Sequence, residues 1–370
     1  MKFALAHHWL TSYRGGERVL EQMASLFPGD IYTLVQDPRV DVPGIAGRKI
    51  RTSALQRIPK AAALYRHLLP LHPWAISNLK VDEDVDVLLS SDASLIKGID
   101  APESATHVCY CHSPPRYLWE MSADYKKTSL AARVALDGCA PRLRDWDYRA
   151  AQSVTHFIAN SQFVAERIQK YYDRESTVIF PPVAVDAFQH DRPRESFCLV
   201  ISELVPYKRI DLAVEAFNRT GQRLVIIGDG PERSRLESVA KPNVEFWGRR
   251  SFADLKRNLE IAQALIFPGV EDFGITPVEA QAAGCPVIAY RGGGALETVV
   301  EGQTGLFFDD QNIDSLIDAV DSMADHPISA DVCNAAAQRF SAERFCQQYR
   351  DFVESKIAID APVLPQSIAS

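Results

Sequence analysis

The sequence predicts an α/β protein built from two doubly wound domains, and three observations predict it. Short apolar runs alternate with longer stretches of helical periodicity along the chain, the pattern of parallel βαβ units. These runs fall into two sets of six: KFALAHH, IYTLV, DVLLSS, HVCYCH, HFIAN and TVIFPP, then FCLVIS, RLVIIG, VEFWG, ALIFP, PVIAY and GLFF. Between the sets, FPPVAVDAFQHDRPRES is rich in proline and charge and reads as a linker. The expected domains are 1–183, 184–345 and a closing stretch, 346–370. There FCQQYRDFVESKI is helical and either extends the second domain or crosses back onto the first. The tail DAPVLPQSIAS reads as poorly ordered.

Composition narrows the class. Of 370 residues, 46% are apolar and 24% charged, enough for two buried cores in a soluble protein. MKFALAHHWL has too short an apolar run and two histidines where a signal peptide needs its core, and no run is long enough to span a bilayer. Seven cysteines without zinc-like spacing suggest reduced thiols and a cytoplasmic protein. Cys109 and Cys111 alternate onto one face of a strand and read as core thiols rather than a metal pair. Through residue 185 there are 22 Lys and Arg against 20 Asp and Glu; beyond it, 18 against 28. That balance argues against nucleic acid as a partner.

Open α/β sheets bind ligands beyond the carboxyl ends of their strands, so the informative residues follow the runs. After the first strand, Gly15 and Gly16 precede a helix with an apolar face of Val19, Leu20, Met23 and Phe27; paired glycines let backbone approach a ligand closely. This is no dinucleotide fingerprint, because G-x-G-x-x-G is absent. After the fourth run comes YCHSPPRYLWE, which sets His112 at a strand end ahead of a stiff Ser-Pro-Pro and Arg116. In the second half, ISELVPYKRID brings Lys208 and Arg209 to the start of a helix, where cations suit a phosphate or simply a solvated surface. GDGPE reads as a tight turn. Residues 271–279, EDFGITPVE, place Glu271 on a loop with Gly274. Thr276, Pro277 and Glu279 have the spacing of a capping box. A cap explains Glu279 but leaves Glu271 without a structural reason. The amides of Gly274, Ile275 and Thr276 at a helix start, together with carboxylates that accept from hydroxyls, suit a polyol.

In this order, Gly15-Gly16, YCHSPPRYLWE, IANS at 158–161, PYKR, GDGP and the E-x7-E of EDFGITPVE resemble the retaining glycosyltransferases of family 4, which have the GT-B fold. The wording is similar to bacterial mannosyltransferase-like members of surface-polysaccharide assembly. The resemblance implies two facing Rossmann-like domains with the active site in the cleft between them. It implies that Glu271 holds donor-sugar hydroxyls with the amides of Phe273, Gly274 and Ile275 nearby, and that Glu279 accepts from the ribose. Lys208 would bind the diphosphate, Gly16 would approach it from the other domain, and His112 would lie over the transferred sugar, through its side chain or its main-chain carbonyl. Gly248 and Arg249 would lie near the base. One residue departs from the pattern: Glu203 stands where many relatives have arginine. Arg209, or Arg14 from the other domain, is expected to supply the missing guanidinium.

The implied reaction moves a sugar from a nucleoside diphosphate to an acceptor hydroxyl with retention, Lys208, Arg209 and helix amides stabilising the departing diphosphate. No metal or other cofactor is implied, and DEDVD at 82–86 reads as a solvated turn. GDP-mannose is the first choice of donor and a UDP-sugar the second. On the acceptor side, 42–81 contains no Asp or Glu but holds Arg48, Lys49, Arg51, Arg57, Lys60, Arg66 and Lys80, interleaved with Leu, Tyr and Trp74. Such a stretch suits a peripheral contact with an anionic membrane and a polyprenyl-diphosphate-linked or oligosaccharide acceptor, or is a helical insertion covering the first domain. A hydrolysing sugar-nucleotide epimerase and a non-catalytic partner subunit of the same fold are the competing readings. A nicotinamide dehydrogenase is disfavoured.

Overall fold

The computed structural model describes residues 1–120 and 130–360; the expectation of a poorly ordered tail falls on 360–370, almost wholly outside them. The chain forms two compact units. The first comprises 1–160, 165–179 and 345–370, and the second 161–164 and 180–344.

The first unit is built on a seven-stranded parallel sheet. Its strands are β1 (Phe3–His7), β2 (Asp30–Thr33), β3 (Ile50–Thr52), β4 (Val87–Asp92), β5 (Thr106–Cys111), β6 (His156–Ala159) and β7 (Ser176–Val178). Their order is β3-β2-β1-β4-β5-β6-β7. Alternation along the strands feeds two cores. Leu5, Leu89 and Tyr110 join one cluster, while Ala4, Ala6 and Leu88 join the other. Phe345, Tyr349 and Val353 of the helix Ala342–Asp360 pack into the first of these clusters. Cys109 and Cys111 lie buried in β5, and burial pushes the Cys109 thiol up to about 12, which keeps it an unreactive core group.

The second unit is a six-stranded parallel sheet of β8 (Glu195–Ile201), β9 (Leu224–Ile227), β10 (Val244–Gly248), β11 (Ala262–Phe267), β12 (Val287–Tyr290) and β13 (Gly305–Phe308). Their order is β10-β9-β8-β11-β12-β13, again with a core on each face. The helix Ile210–Thr220 ends at Gly221, whose φ of +75° lets its N–H reach back to the Phe217 carbonyl.

Two expectations need correction. Residues 42–81 are not one helical insertion: they hold the edge strand β3, then 3₁₀ turns and short helices. Arg51 sits in β3, where it bonds Asp30 (2.9 Å) and Asp82 (2.6 Å), and Arg48 donates to backbone carbonyls of Ala24, Phe27 and Gly29, so both hold the fold together. Nor is there a capping box at Thr276. The helix runs Ile275–Ala282 with Gly274 as N-cap at φ +88°, and among the described residues no side chain caps it. Gly274 tolerates that left-handed turn, so the helix starts two residues earlier than the Thr-Pro pattern suggests.

Candidate functional site

In both sheets the strand order reverses once, and such switch points open a crevice at the carboxyl ends. In the second unit the reversal lies between β8 and β11. The loop after β8 carries Lys208, and the loop after β11 carries Glu271; the two side chains form an ion pair. Gly269 permits this meeting, because a Cβ there would lie 2.8 Å from the Lys208 Cα. Both groups keep contact with solvent, Lys208 at 14% exposure and Glu271 at 26%.

The Glu271 loop is held from two further sides. Gly294 N–H donates to the Glu271 carbonyl (2.9 Å), and a Cβ on Gly294 would lie 2.4 Å from the Phe273 Cα. Gly293, at φ +62°, passes so close that a Cβ would meet the Glu271 carbonyl oxygen at 2.4 Å. Ser161 Oγ donates to the Asp272 carbonyl (2.6 Å). The glycine run 292–294 and Ser161 are thus the frame of the site. The sequence pattern by itself gives neither IANS nor the glycine run a role. Three consecutive glycines after a strand were the available signal.

Phe273 and Gly274 are buried, with Ile275 and Thr276 partly open at the helix start. Glu279 is the fifth residue of that helix and 8% exposed. Arg209 has φ +53°, a strained conformation for a side chain of its size, and grips Asp211 (3.2 Å) and Gln311 (3.4 Å). Glu203 lies on the same loop. The GDGP segment is a structural turn: a Cβ on Gly230 would lie 2.3 Å from the Leu204 carbonyl oxygen. Gly248, at φ +70°, accepts from Gly228 N–H (2.9 Å), while Arg249 is exposed beyond it.

In the first unit the reversal lies between β1 and β4, where His7 registers with Ser91. Ser91 Oγ stands 3.1 Å from His7 Nδ1 and 2.8 Å from Nε2 of His112, which follows β5. His8 Nδ1 donates to the Ser91 carbonyl (3.2 Å). Gly15 and Gly16 form the first turn of the helix Gly15–Leu26, and a Cβ on Gly16 would lie 3.4 Å from His7 Cε1 and His8 Cε1. Glu17, on the same turn, accepts from Arg14 N–H (2.9 Å) and faces His7 Nε2 at 4.0 Å. Burial pushes the Glu17 carboxyl up, but His7, His8 and its own amide outweigh that and hold it down to about 2. His8 is pushed down to about 3, first by burial and then by His7. Sequence reading found His112 and Gly16 but missed His7, His8, Glu17 and Ser91, which become one cluster only through the sheet register. Arg167 fixes the segment after His112 by donating to Ser113 Oγ (2.7 Å) and the Pro114 carbonyl (3.2 Å), and Arg116 opens the short helix that follows.

The basic segment shows a third feature. Leu64, Leu71 and Trp74 are 40%, 45% and 55% exposed, and Arg57, Lys60 and Arg66 are exposed in the same segment. Among the described residues, no helix is long and apolar enough to cross a membrane.

Comparison with known proteins gives these features a context. Residues 185–340 match the family described as Glycosyl transferases group 1. The chain is 35% identical over 153 residues to a GDP-mannose-dependent monoacylated alpha-(1-6)-phosphatidylinositol monomannoside mannosyltransferase of Corynebacterium glutamicum, covering 37% of this chain and 40% of that protein. It is 29% identical over 195 residues to a GDP-mannose-dependent alpha-(1-6)-phosphatidylinositol monomannoside mannosyltransferase of Mycolicibacterium smegmatis, covering 45% and 51%. The matches span about half the length of these curated relatives. In fold the chain is similar to Anabaena HepE in complex with UDP, with a TM-score of 0.69 at 16% identity, covering 96% of this chain and 100% of that one. Sucrose-phosphate synthase from Thermosynechococcus elongatus gives 0.70 at 16% identity, covering 97% and 100%. The architecture is that of the GT-B glycosyltransferases, two Rossmann-like domains with parallel sheets.

Proposed function

We propose that this chain is a retaining family 4 glycosyltransferase that passes mannose from GDP-mannose to a lipid-linked or oligosaccharide acceptor. The observation that carries the reading is the Lys208–Glu271 pair at the switch point of the unit that matches the glycosyltransferase family. A donor resolves that pair: its diphosphate takes the ammonium, and its sugar hydroxyls donate to the freed carboxylate. Glu279 takes the ribose. Phe273, Gly274, Ile275 and Thr276 line the sugar and phosphates, and Gly248 and Arg249 serve the base. His112 and Gly16 serve the transferred sugar and the diphosphate. The named activity of the relatives supports mannose and guanosine over a UDP-sugar.

As the glycosidic bond breaks, negative charge grows on the leaving diphosphate. Lys208 and the amides at the start of the helix Ile275–Ala282 stabilise that charge without a metal, and Arg209 exchanges Asp211 for phosphate. The acceptor attacks from the face the diphosphate leaves, which retains the configuration, and the leaving phosphate takes the acceptor proton.

A thermal-shift screen against GDP, GDP-mannose, UDP, UDP-glucose and ADP tests the donor, because a ligand bound only by the native state raises its stability. GDP and GDP-mannose are expected to raise the melting temperature most; a larger shift with uridine compounds would replace the donor. Donor incubated without acceptor should remain unchanged, since conversion would identify an epimerase. For the acceptor, exposed Leu64, Leu71 and Trp74 beside Arg57, Lys60 and Arg66 suit an anionic leaflet carrying a polyprenyl-diphosphate-linked sugar. Failure to sediment with anionic vesicles at low salt would remove the membrane from this reading.

A further inference from the structure

His112 is backed by a row of buried proton-carrying groups that the transfer chemistry does not call for. Ser91 Oγ lies between His112 Nε2 (2.8 Å) and His7 Nδ1 (3.1 Å). Past it, His7 Nε2 is buried with no hydrogen-bond partner among the described residues, and it faces the Glu17 carboxylate at 4.0 Å. Ser91 and His7 are both 0% exposed, so solvent does not compete for these bonds.

The Ser91 hydroxyl has a single proton and can donate to only one of the two rings. With His7 neutral, its proton belongs on Nε2, toward the carboxylate. Nδ1 then accepts from Ser91, Ser91 accepts from His112 Nε2–H, and His112 Nδ1 is an acceptor. With His7 protonated, both of its nitrogens donate. Ser91 must then accept from His7 and turn its proton to His112 Nε2, so the His112 proton resides on Nδ1. The two states differ by one proton: it enters at His112 Nδ1, the Nε2 proton passes to Ser91, and the Ser91 proton passes to His7 Nδ1.

We propose that Glu17, His7 and Ser91 are positioning residues that set the tautomer of His112, so that protonation of His7 turns His112 Nδ1 from a hydrogen-bond acceptor into a donor toward the sugar. The proposal rests on the reading of His112 as the residue that meets that sugar. Several neighbouring groups are engaged in bonds of their own. The Ser91 carbonyl can only accept, which fixes the His8 proton on Nδ1, and His8 stays neutral because its basicity is so depressed. Asp92 beneath the cluster accepts His112 N–H at its carbonyl (2.8 Å) and spends its carboxylate on Lys97 (3.2 Å). Tyr110 meets His112 by ring contact at 5.1 Å and donates its hydroxyl to the Ile179 carbonyl (2.9 Å). Arg14 engages Glu17 through its amide.

The test is a long-range ¹H–¹⁵N correlation of the histidine rings in the full chain across pH. In the unaltered protein His112 is expected to carry its proton on Nε2 at high pH and on Nδ1 at low pH, with a midpoint shared with His7. Ser91→Ala should abolish that shared midpoint, and Ser91→Thr, which keeps the hydroxyl, should restore it. Glu17→Gln should move the change to lower pH, because a carboxylate no longer favours the imidazolium; this variant also serves if Ser91→Ala does not fold. In turnover, Ser91→Ala should lower kcat about tenfold and flatten its pH profile, with the KM for the donor unchanged. Independent titration of the two rings in the unaltered protein, or an unchanged His112 response in Ser91→Ala, would overturn the relay. The ring measurement needs no substrate. An unaltered protein that transfers no sugar therefore overturns the glycosyltransferase reading and leaves the relay standing on its own data.

Discussion

The two units share one sheet plan and end it in different chemistry. Where β1 and β4 diverge, the first unit gathers His7, His8, Ser91 and His112, buried or nearly so and linked by shared protons. Where β8 and β11 diverge, the second gathers a cation and an anion that both reach solvent. Parallel topology alone makes the crevice, so its location is common to both. What the crevice does depends on the few residues just past the strand ends. The second unit offers fixed charges suited to gripping a charged ligand, while the first offers groups that respond to protons.

The sharpest way to break this contrast is at the ion pair. Lys208→Met and Glu271→Gln are each expected to lower kcat/KM for transfer by about 10²–10³, the scale for removing one group aimed at transition-state charge. The double variant should lose far less than the product of the single losses, because the two residues act on one ligand. Additive losses, measured in steady-state kinetics with GDP-mannose, would mean that the pair is a surface salt bridge with no common task.

The frame of that pair comes next. Gly294→Ala puts a methyl 2.4 Å from the Phe273 backbone at an ordinary φ of −64°, so its effect is purely steric. A loss of about 1–3 kcal/mol in stability is expected, with weaker GDP binding. Gly221→Ala, in open space at φ +75°, should cost about 1 kcal/mol and leave GDP binding alone. Calorimetric melts with and without GDP separate the two. Equal effects of both on binding would deny the glycine run its role.

The fold was legible because buried parallel strands read as continuous apolar runs, and the runs named from sequence became strands. The exception, β3, is three residues long at a sheet edge, and Arg51 within it looks like surface until Asp30 and Asp82 are placed opposite. Local pattern failed similarly at Thr276, where Thr-Pro-x-Glu mimics a cap but the left-handed Gly274 starts the helix. In the site, Lys208 and Glu271 were readable because each follows its own strand. The imidazole cluster was not, because Ser91 lies 84 residues from His7 and only the register joins them.

Acid should separate the units. His8, His107 and His72, all in the first unit, are pushed down to about 3, 4 and 4, chiefly by burial. A base with a depressed value binds protons more readily unfolded, so stability is full above the ordinary 6.5 and declines as pH falls toward 4. Glu17, held to about 2, adds stability above its ordinary 4.5 that is lost as pH drops further. Four of the five tryptophans, Trp9, Trp74, Trp119 and Trp146, lie in the first unit, so intrinsic fluorescence reports mainly on it. Its acid transition should begin at higher pH than that of Trp247, followed alone in a variant with the other four replaced by phenylalanine. Coincident transitions would mean that the titrating cluster does not set the first unit's stability.

The smallest effects concern the basic segment, which only the first unit has. Lys60→Ala should weaken binding to anionic vesicles by about 1 kcal/mol, roughly fivefold at low salt, with little change in melting temperature. Arg51→Ala should do the reverse. Its guanidinium is spent on Asp30 and Asp82, so vesicle binding should hold while stability falls by about 0.5–1 kcal/mol, the range of a partly exposed pair. If Arg51→Ala releases the protein from vesicles as readily as Lys60→Ala, then net charge rather than a defined face drives the attraction, and Leu64, Leu71 and Trp74 lose their assigned place in it.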